Sequence, residues 1–314
     1  MSGRLDIVIV NWNSGDQLRR CLASLAACEP LDRLADRLVV VDNGSTDGSA
    51  AGLPRGVTLL ANPANRGFAA ACNQGAAGSR ADFLLFLNPD TRALPGCLAR
   101  PLEALERPDH ADVGILGIQL LDSAGRVARS CARQPTGGRL LGAMLGLDRL
   151  LPGLLAPHFM TEWDHGDSRD VDQVMGAYFL VRRPLFERLA GFDERFFVYY
   201  EDVDLARRAA AAGWRCRYCA EAQIQHRGGG SSDQVKARRL FYMLRSRSLF
   251  AAKWLGRGAA LAHLLATLLV EPLPRLAVAL RRGGRRAAGD AMTGYALLWA
   301  ALPGLLQAVW RGAR

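Results

Sequence analysis

Leu38-Val39-Val40-Val41-Asp42-Asn43-Gly44-Ser45-Thr46-Asp47-Gly48 is the stretch that decides the fold. Its apolar, β-branched start predicts a strand buried on both faces. The strand ends in a carboxylate, and turn and cap residues follow. Ser45 and Asp47 are the expected caps of a helix beyond it. In open α/β sheets, ligands bind outside the carboxyl ends of the strands. Asp42 is therefore placed to accept hydrogen bonds from a ribose or a nucleobase N–H. Comparable apolar runs occupy 5–10, 57–60 and 83–87. Between them, Leu18, Cys21, Leu22 and Leu25 recur at helical spacing behind a Ser14/Gln17 capping box. Residues 68–77 form a helix of small side chains, with Asn65 as its expected cap. Apolar strands alternating with helices predict a mostly parallel sheet covered on both faces. No G-x-G-x-x-G follows the first strand, which disfavours a dinucleotide site.

Farther along, 113–121 and 174–181 predict strands, and 201–212 predicts a helix with Leu205, Ala209 and Ala212 on one face. Strands over 214–220 and 222–226 and a basic helix over 231–255 follow. Residues 123–170 are rich in Gly, Pro and Arg and form a long excursion, of a length that is usually functional or flexible. After 255 the composition shifts. Residues 258–270 and 295–309 are apolar but interrupted, and each falls short of the roughly 20 residues that span a bilayer. Arg275, Arg281, Arg282, Arg285 and Arg286 lie between them, a pattern that suits a segment lying in a membrane interface. A small helical subdomain packed on the core is the alternative. The expected organisation is a catalytic domain over 1–255 and a helical, amphipathic region over 256–314.

Half of the 314 residues are hydrophobic and 22% are charged, enough apolar material for one large or two modest domains. The net charge of +10 comes almost wholly from Arg, because Lys236 and Lys253 are the only lysines. A basic balance favours anionic partners such as nucleotides or phospholipids. No recognition motif or aromatic–basic interleaving supports a nucleic acid. The seven cysteines are odd in number, and the N-terminus enters a strand almost at once, with no secretory signal before them. They are expected to be reduced cytosolic thiols. Cys216-Arg217-Tyr218-Cys219 lacks the second pair of a zinc site and reads as two ordinary side chains.

Three further clusters carry chemistry. In Asn65-Arg66-Gly67-Phe68, Arg66 stands at a helix N-terminus, where anions are favoured. Asn88-Pro89-Asp90 ends a strand in a carboxylate suited to a divalent cation that keeps phosphate or water as its other ligands. Tyr200-Glu201-Asp202-Val203-Asp204-Leu205 crowds three carboxylates at a helix start. Complementation of the helix dipole is the structural account of that cluster. The functional account is a general base for a sugar hydroxyl.

Taken in order, these residues resemble glycosyltransferase family 2, the inverting enzymes of the GT-A fold, and within it the bacterial rhamnosyltransferase-like branch. The resemblance spans about 5–250. It rests on Val8-Ile9-Val10-Asn11-Trp12-Asn13, Val41-Asp42-Asn43-Gly44-Ser45, Asn65-Arg66-Gly67-Phe68 with Asn73, and Asn88-Pro89-Asp90. Gly176-Ala177, Gly191-Phe192-Asp193-Glu194, Tyr200 to Leu205, and His226-Arg227-Gly228-Gly229-Gly230-Ser231 complete it. The resemblance implies an α/β, Rossmann-like mixed sheet, mostly parallel, with helices on both faces; the composition beyond 255 adds a C-terminal helical tail. It implies that Asp42 binds the nucleoside, with Asn11, Asn65 and Arg66 near the nucleotide. Asp90 would be the metal-binding carboxylate of the family's D-x-D motif, holding Mg or Mn, although Asn88 stands here in place of the first carboxylate. His226 would reach the metal or the diphosphate. Asp202 would be the catalytic base, with Glu201 supporting acceptor binding. The Gln-x-x-Arg-Trp motif of the processive synthases is absent after His226, which implies addition of one or a few sugars.

The expected activity is inverting transfer of rhamnose from dTDP-rhamnose, or of a hexose from a UDP-sugar, to a hydroxyl of a saccharide or lipid-linked saccharide. It would serve cell-surface polysaccharide biosynthesis at the inner face of the cytoplasmic membrane. A catalytically inactive scaffold or glycan-binding protein of the same fold is the alternative. The oligomeric state is left open.

Overall fold

The strand β1 (Leu5–Asn11) is buried at every position. Its neighbours β2 (Ala35–Asp42) and β4 (Phe83–Leu87) both pair with it in parallel. Its side chains alternate between two apolar layers, as a period of two requires. Leu5, Ile7 and Ile9 pack with Leu18, Leu22 and Leu25 of the helix Gln17–Cys28. Val8 packs on the opposite face with Ala69, Ala71 and Cys72 of the helix Phe68–Ala76. Burial on both faces is why the strand is apolar throughout rather than alternating.

In this computed structural model, residues 4–146, 158–228 and 235–312 are described. The chain folds as two compact units. The first holds Met1–Arg133, Phe159–Glu194 and Glu201–Ser231. Beyond β3 (Val57–Ala61), its strands are β5 (Thr91–Ala93), β6 (Val113–Leu121), β7 (Cys131–Ala132), β8 (Arg169–Val171), β9 (Gln173–Val174), β10 (Tyr178–Arg182) and β11 (Arg215–His226). The main sheet runs β3-β2-β1-β4-β10-β6-β11-β5, with β8 also on β11, while β7 and β9 form a separate pair. β10 is antiparallel to both β4 and β6, and β5 is antiparallel to β11; the other pairings along the main order are parallel. The expected mixed, mostly parallel sheet is present.

Several local expectations give way. The strands over 214–220 and 222–226 are one strand, β11, with a register shift between Cys219 and Gln223. Ser14 does not cap the first helix: Asp16 stands at that position without a side-chain cap, and the Ser14 hydroxyl donates to Asn11 Oδ1. Gly67, at φ +90°, precedes the helix Phe68–Ala76, so Asn65 is not its cap. No helix follows β2 for Ser45 or Asp47 to cap. Ser14 bonds back to the end of β1, while Asn65, Ser45 and Asp47 bind another loop at the carboxyl end of the sheet. The long excursion contains β7, β8 and the helix Gly137–Leu145; its residues 147–157 lie outside the described residues, as do Gly229 to Ser231.

The second unit holds Gln134–His158, Arg195–Tyr200 and Ser232–Arg314. Its helices are Gly137–Leu145, Lys236–Trp254, Arg257–Leu269, Pro272–Ala300 (kinked at Gly284) and Leu302–Arg311. Leu244, Ala251, Leu264, Leu268, Tyr295, Leu298 and Leu305 form its core. Lys236–Trp254 thus packs with the C-terminal helices, and the units divide at Ser231 rather than at the expected 255. By length and composition alone, Arg257–Ala300 contains a stretch long and apolar enough to cross a membrane, an 18-residue window with a mean hydropathy of 1.4. That differs from the sequence expectation, which took its apolar stretches separately. The helices nevertheless break between Leu269 and Pro272, and Glu271 at the break is turned inward. Glu271 is 2% exposed. It pairs with Arg247 and, at 2.5 Å, with Arg275 Nη2. Burial raises the Glu271 pKa, but Arg247 and Arg275 outweigh it and hold the carboxyl below its usual range. Burial, reinforced by Arg247, pushes nearby His263 down to about 3, so its imidazole stays neutral.

Removing one partner of a buried pair strands the other charge. Glu271→Gln is expected to destabilise the protein by about 3 kcal/mol, read as a lower urea midpoint at pH 7. Because the folded pKa is depressed, the wild-type advantage exists above the unfolded carboxyl pKa and fades as pH falls through the folded value. An unchanged midpoint at pH 7 would contradict the pairing.

Candidate active site

Asn11 and Asp42 end β1 and β2 as register partners. Asn11 is fully buried. Its Nδ2 lies 2.8 Å from Asp42 Oδ1, 3.1 Å from Ser45 Oγ and 2.9 Å from Ser49 Oγ. Ser45 donates its hydroxyl to Asp42 Oδ1 at 2.5 Å and its N–H to Oδ2 at 3.2 Å. The Asp42 carboxylate is therefore fixed by its neighbours and is 8% exposed.

A second layer, built on Asn43, holds the next loop. Asn43 Nδ2 donates to Asn65 Oδ1 and to the Gly67 carbonyl, both at 3.0 Å. Its Oδ1 accepts from Asn62 Nδ2 and from the Arg66 N–H, both at 3.1 Å. Asn65 thus shapes the loop, and the Arg66 side chain is left exposed. Gly44 has φ +75°, and a Cβ there would come within 2.8 Å of Ala64 Cα. Only glycine lets these two loops meet backbone to backbone. Asn43 and Asn62 had no role assigned from sequence, and Ser45 only that of a helix cap. Their signal was the excess of turn polar residues beyond β2, more than one helix cap would use.

Asp90 and His226, far apart in sequence, are joined by the β5–β11 pairing, in which Thr91 faces His226. His226 Nε2 lies 3.3 Å from Asp90 Oδ1, with the two side chains 14% and 9% exposed. The Thr91 hydroxyl donates to the Asn88 carbonyl at 2.7 Å, and Arg227 N–H to the Asp90 carbonyl at 3.1 Å. A carboxylate and an imidazole this close suit a divalent cation that completes its shell with phosphate and water. Among the described residues, no group of three or more His, Cys, Asp or Glu side chains could hold a metal. A substrate phosphate would therefore supply much of the coordination, in keeping with Asn88 standing where a second carboxylate would be.

The third cluster separates into distinct environments. The helix Glu201–Ala211 begins after Tyr199 and Tyr200, which have φ of +68° and +70°. Such angles are strained for bulky residues and collect at functional sites. Asp202 Oδ2 accepts the Gly176 N–H at 2.9 Å, and Oδ1 accepts the Val203 N–H at 2.8 Å. A Cβ on Gly176 would stand 3.2 Å from Asp202 Oδ2. Burial raises the Asp202 pKa, and these N–H groups draw it part of the way back. Glu201 is buried, and its Oε2 has no hydrogen-bond partner. Burial, and then the Asp202 charge, hold its carboxyl well above the usual range. Two coupled carboxyls with unequal support favour one proton between them. Glu201, the less supported of the two, is pushed further toward the protonated form. Asp204 is different again. It is wholly buried and pairs with Arg208 Nε at 2.7 Å. The remaining Arg208 donors reach the Leu189 and Gly191 carbonyls at 2.6 and 2.9 Å. Asn73 grips the same loop through the Phe192 N–H and carbonyl, both at 2.9 Å.

Topology brings the clusters to one edge. β1, β2 and β4 exit there. β10 runs against β4 and starts there, directly after Gly176, and Asn88 N–H bonds the Ala177 carbonyl at 3.0 Å. β11, parallel to β6, ends there at His226. A separate cavity of about 390 Å³, lined by Ala76, Leu84, Arg183, Phe186 and Glu187 among others, contains none of these carboxylates or His226. All seven cysteines are free, and Cys216 and Cys219 are buried side chains of β11.

Known proteins bear on this geometry. Residues 6–136 match the model of glycosyl transferase family 2, and 83–311 match that of glycosyl transferase family group 2. The N-acetylglucosaminyl-diphospho-decaprenol L-rhamnosyltransferase of Mycobacterium tuberculosis is 34% identical over 272 residues, covering 80% of this chain and 85% of that protein. Among solved structures, the mannosyltransferase PcManGT of Pyrobaculum calidifontis, in complex with GDP-Man and Mn2+, aligns with a TM-score of 0.55 at 20% identity. The alignment covers 99% of this chain and 87% of that one. GalNAc-T7 with UDP, GalNAc and Mn2+ aligns with a TM-score of 0.56 at 15% identity, over 80% of this chain and 48% of its own. At such identities the two structures speak for the fold.

The proton assignment at Glu201 and Asp202 is measurable in the resting protein. Carbon-13 titration of the side-chain carboxyls is expected to find two midpoints above the ordinary 3.8 and 4.5, both lost in the Glu201→Gln/Asp202→Asn double variant. If every carboxyl titrates at or below those values, the shared-proton arrangement is wrong.

Proposed function

The chain belongs to glycosyl transferase family 2, and on that premise we propose that it moves one sugar, with inversion at the anomeric carbon, from a nucleotide-sugar donor to a lipid-linked saccharide. The observation that carries this reading is Asp202, a half-buried carboxylate held by the Gly176 and Val203 N–H groups at the edge that also carries Asp42 and Asp90. dTDP-rhamnose is the first donor to consider, supported by the mycobacterial rhamnosyltransferase that aligns over 80% of the chain. UDP-hexoses are the second. That relative's name also supports a lipid-diphosphate-linked N-acetylglucosamine acceptor, and with it work on cell-surface polysaccharide at the inner face of the cytoplasmic membrane.

In this reading Asp42, with Asn11 behind it, holds the nucleoside, and Asn65 shapes the loop that sends Arg66 toward the phosphates. Asp90 and His226 would hold Mg or Mn. When bound, the cation neutralises charge developing on the departing nucleoside diphosphate. Asp202 takes the proton of the acceptor hydroxyl as its oxygen attacks the anomeric carbon from the side opposite the leaving group. The new C–O bond forms as the bond to the diphosphate oxygen breaks, and the configuration inverts. Glu201, protonated, contributes a hydrogen-bond donor to the acceptor.

A base of this kind is worth roughly 10²–10⁴ in rate. Asp202→Asn is expected to lose about that factor in kcat for transfer from dTDP-rhamnose with Mg, while donor binding by calorimetry stays nearly unchanged. A variant with near wild-type kcat would remove Asp202 from the mechanism. Donor choice is read by thermal stabilisation across nucleotide sugars. dTDP-rhamnose should raise the melting temperature more than UDP-hexoses do, and the reverse order would move the reading to a hexose.

A further inference from the structure

Within the second unit, the helix Arg257–Leu269 buries His263, Leu264, Thr267 and Leu268. Its other face turns Leu261, Leu265 and Leu269 outward, at 37%, 48% and 60% exposure. Their spacing of four makes one ridge along the helix. Val270 and Leu273, at 43% and 71%, carry the ridge round the break onto the helix Pro272–Ala300. Exposed leucines scattered singly need no explanation, but a contiguous apolar ridge marks a surface that something covers. Glu271 is the only charged residue between Gly258 and Pro274. Its turn inward onto Arg247 and Arg275 leaves the tip without an outward charge. Farther along, on either side of the kink at Gly284, Arg281, Arg282, Arg285 and Arg286 are all exposed. Asp290 is the only acid from Pro272 to Arg311.

We propose that this pair of helices is a membrane-interface wedge. Leu261, Leu265, Leu269, Val270 and Leu273 enter the boundary between headgroups and acyl chains of an anionic bilayer, and Arg281, Arg282, Arg285 and Arg286 meet its lipid phosphates. The occupant follows from charge: a cationic segment next to an apolar ridge, nearly free of acids, complements a surface that is anionic outside and apolar beneath. Crossing the bilayer would carry Glu271 into the hydrocarbon or break its pair with Arg247. Lying in the interface keeps that pair intact. The proposal rests on the functional reading only in that a lipid-linked acceptor would be found at such a surface, and binding to bare vesicles tests it without donor, acceptor or catalysis.

The experiment is co-sedimentation of the full chain with phosphatidylglycerol/phosphatidylcholine vesicles and with phosphatidylcholine vesicles alone. Wild type is expected to bind the anionic vesicles about tenfold more tightly, with binding that weakens as salt rises. Leu269→Ser/Leu273→Ser changes only exposed positions and is expected to lose about tenfold in binding, with circular dichroism and melting temperature unchanged. Arg281→Glu/Arg282→Glu/Arg285→Glu/Arg286→Glu is expected to abolish the preference for anionic vesicles. The proposal is overturned if wild type stays in the supernatant with both vesicles, or if the serine variant pellets like wild type. Binding that resists alkaline extraction would overturn it in favour of a crossing helix. Lipid-free dimers abolished by the serine variant would overturn it in favour of a second copy. An inactive Asp202→Asn enzyme that binds vesicles normally leaves both readings standing.

Discussion

Two backbone N–H groups, of Gly176 and Val203, hold the Asp202 carboxylate at 2.9 and 2.8 Å, and the proposed chemistry depends on them. A carboxylate this buried would take up a proton, and these donors oppose that. Gly176 reaches Asp202 because β10 enters the sheet against β4, so its first residues meet the carboxyl ends of the parallel strands. The same reversal bonds Asn88 to Ala177 and so orients the turn that carries Asp90. Val203 donates because Asp202 opens a helix, where N–H groups lack intrahelical partners. That helix is tied down by Asp204, Arg208 and the Leu189 and Gly191 carbonyls. Buried ionic contacts of this kind position the site more than they add to stability.

The strands were legible because burial on both faces leaves a continuous apolar run. β1, β2 and β4 are read from Ile7, Val40 and Leu85 with little ambiguity. The polar residues at their ends were legible as important but not in their local use. Ser14, Asn65 and Asp47 carry the side chains of helix caps, and capping is what sequence spacing suggests. Instead Asn65 and Asp47 bind neighbouring loops, and Ser14 bonds back to Asn11 at the end of β1. Pairing between β5 and β11 could not be seen from spacing, so nothing local in the chain announced that His226 lies 3.3 Å from Asp90. Likewise the crowding of Glu201, Asp202 and Asp204 was visible, while their separate environments depend on burial and partners. The boundary near 255 was drawn on composition. Composition changes there, but Leu244 and Ala251 of the preceding helix already pack in the C-terminal core.

The chain is a glycosyltransferase, so the catalytically silent scaffold that the sequence left open is set aside. Its metal centre, as proposed, is lean: one carboxylate and one imidazole, with diphosphate oxygens completing the shell. Cation affinity in such a site would depend strongly on the donor being bound, because the phosphates are themselves ligands. The cradle proposed for the nucleoside is more elaborate. Asn11, Asn43, Ser45 and Asn62 fix Asp42 and its loops before any ligand arrives, which limits the ordering cost of binding.

Inversion tests the account most directly, because attack assisted by one base on the face opposite the leaving group allows no other outcome. The measurement is proton and carbon NMR of the product formed from a donor of known anomeric configuration. One-bond C–H coupling at the transferred sugar's anomeric carbon then assigns the new linkage. The account predicts the configuration opposite to that of the donor. A product with the donor's configuration would contradict it, because retention requires a covalent intermediate or front-side attack that a single Asp202 base does not provide.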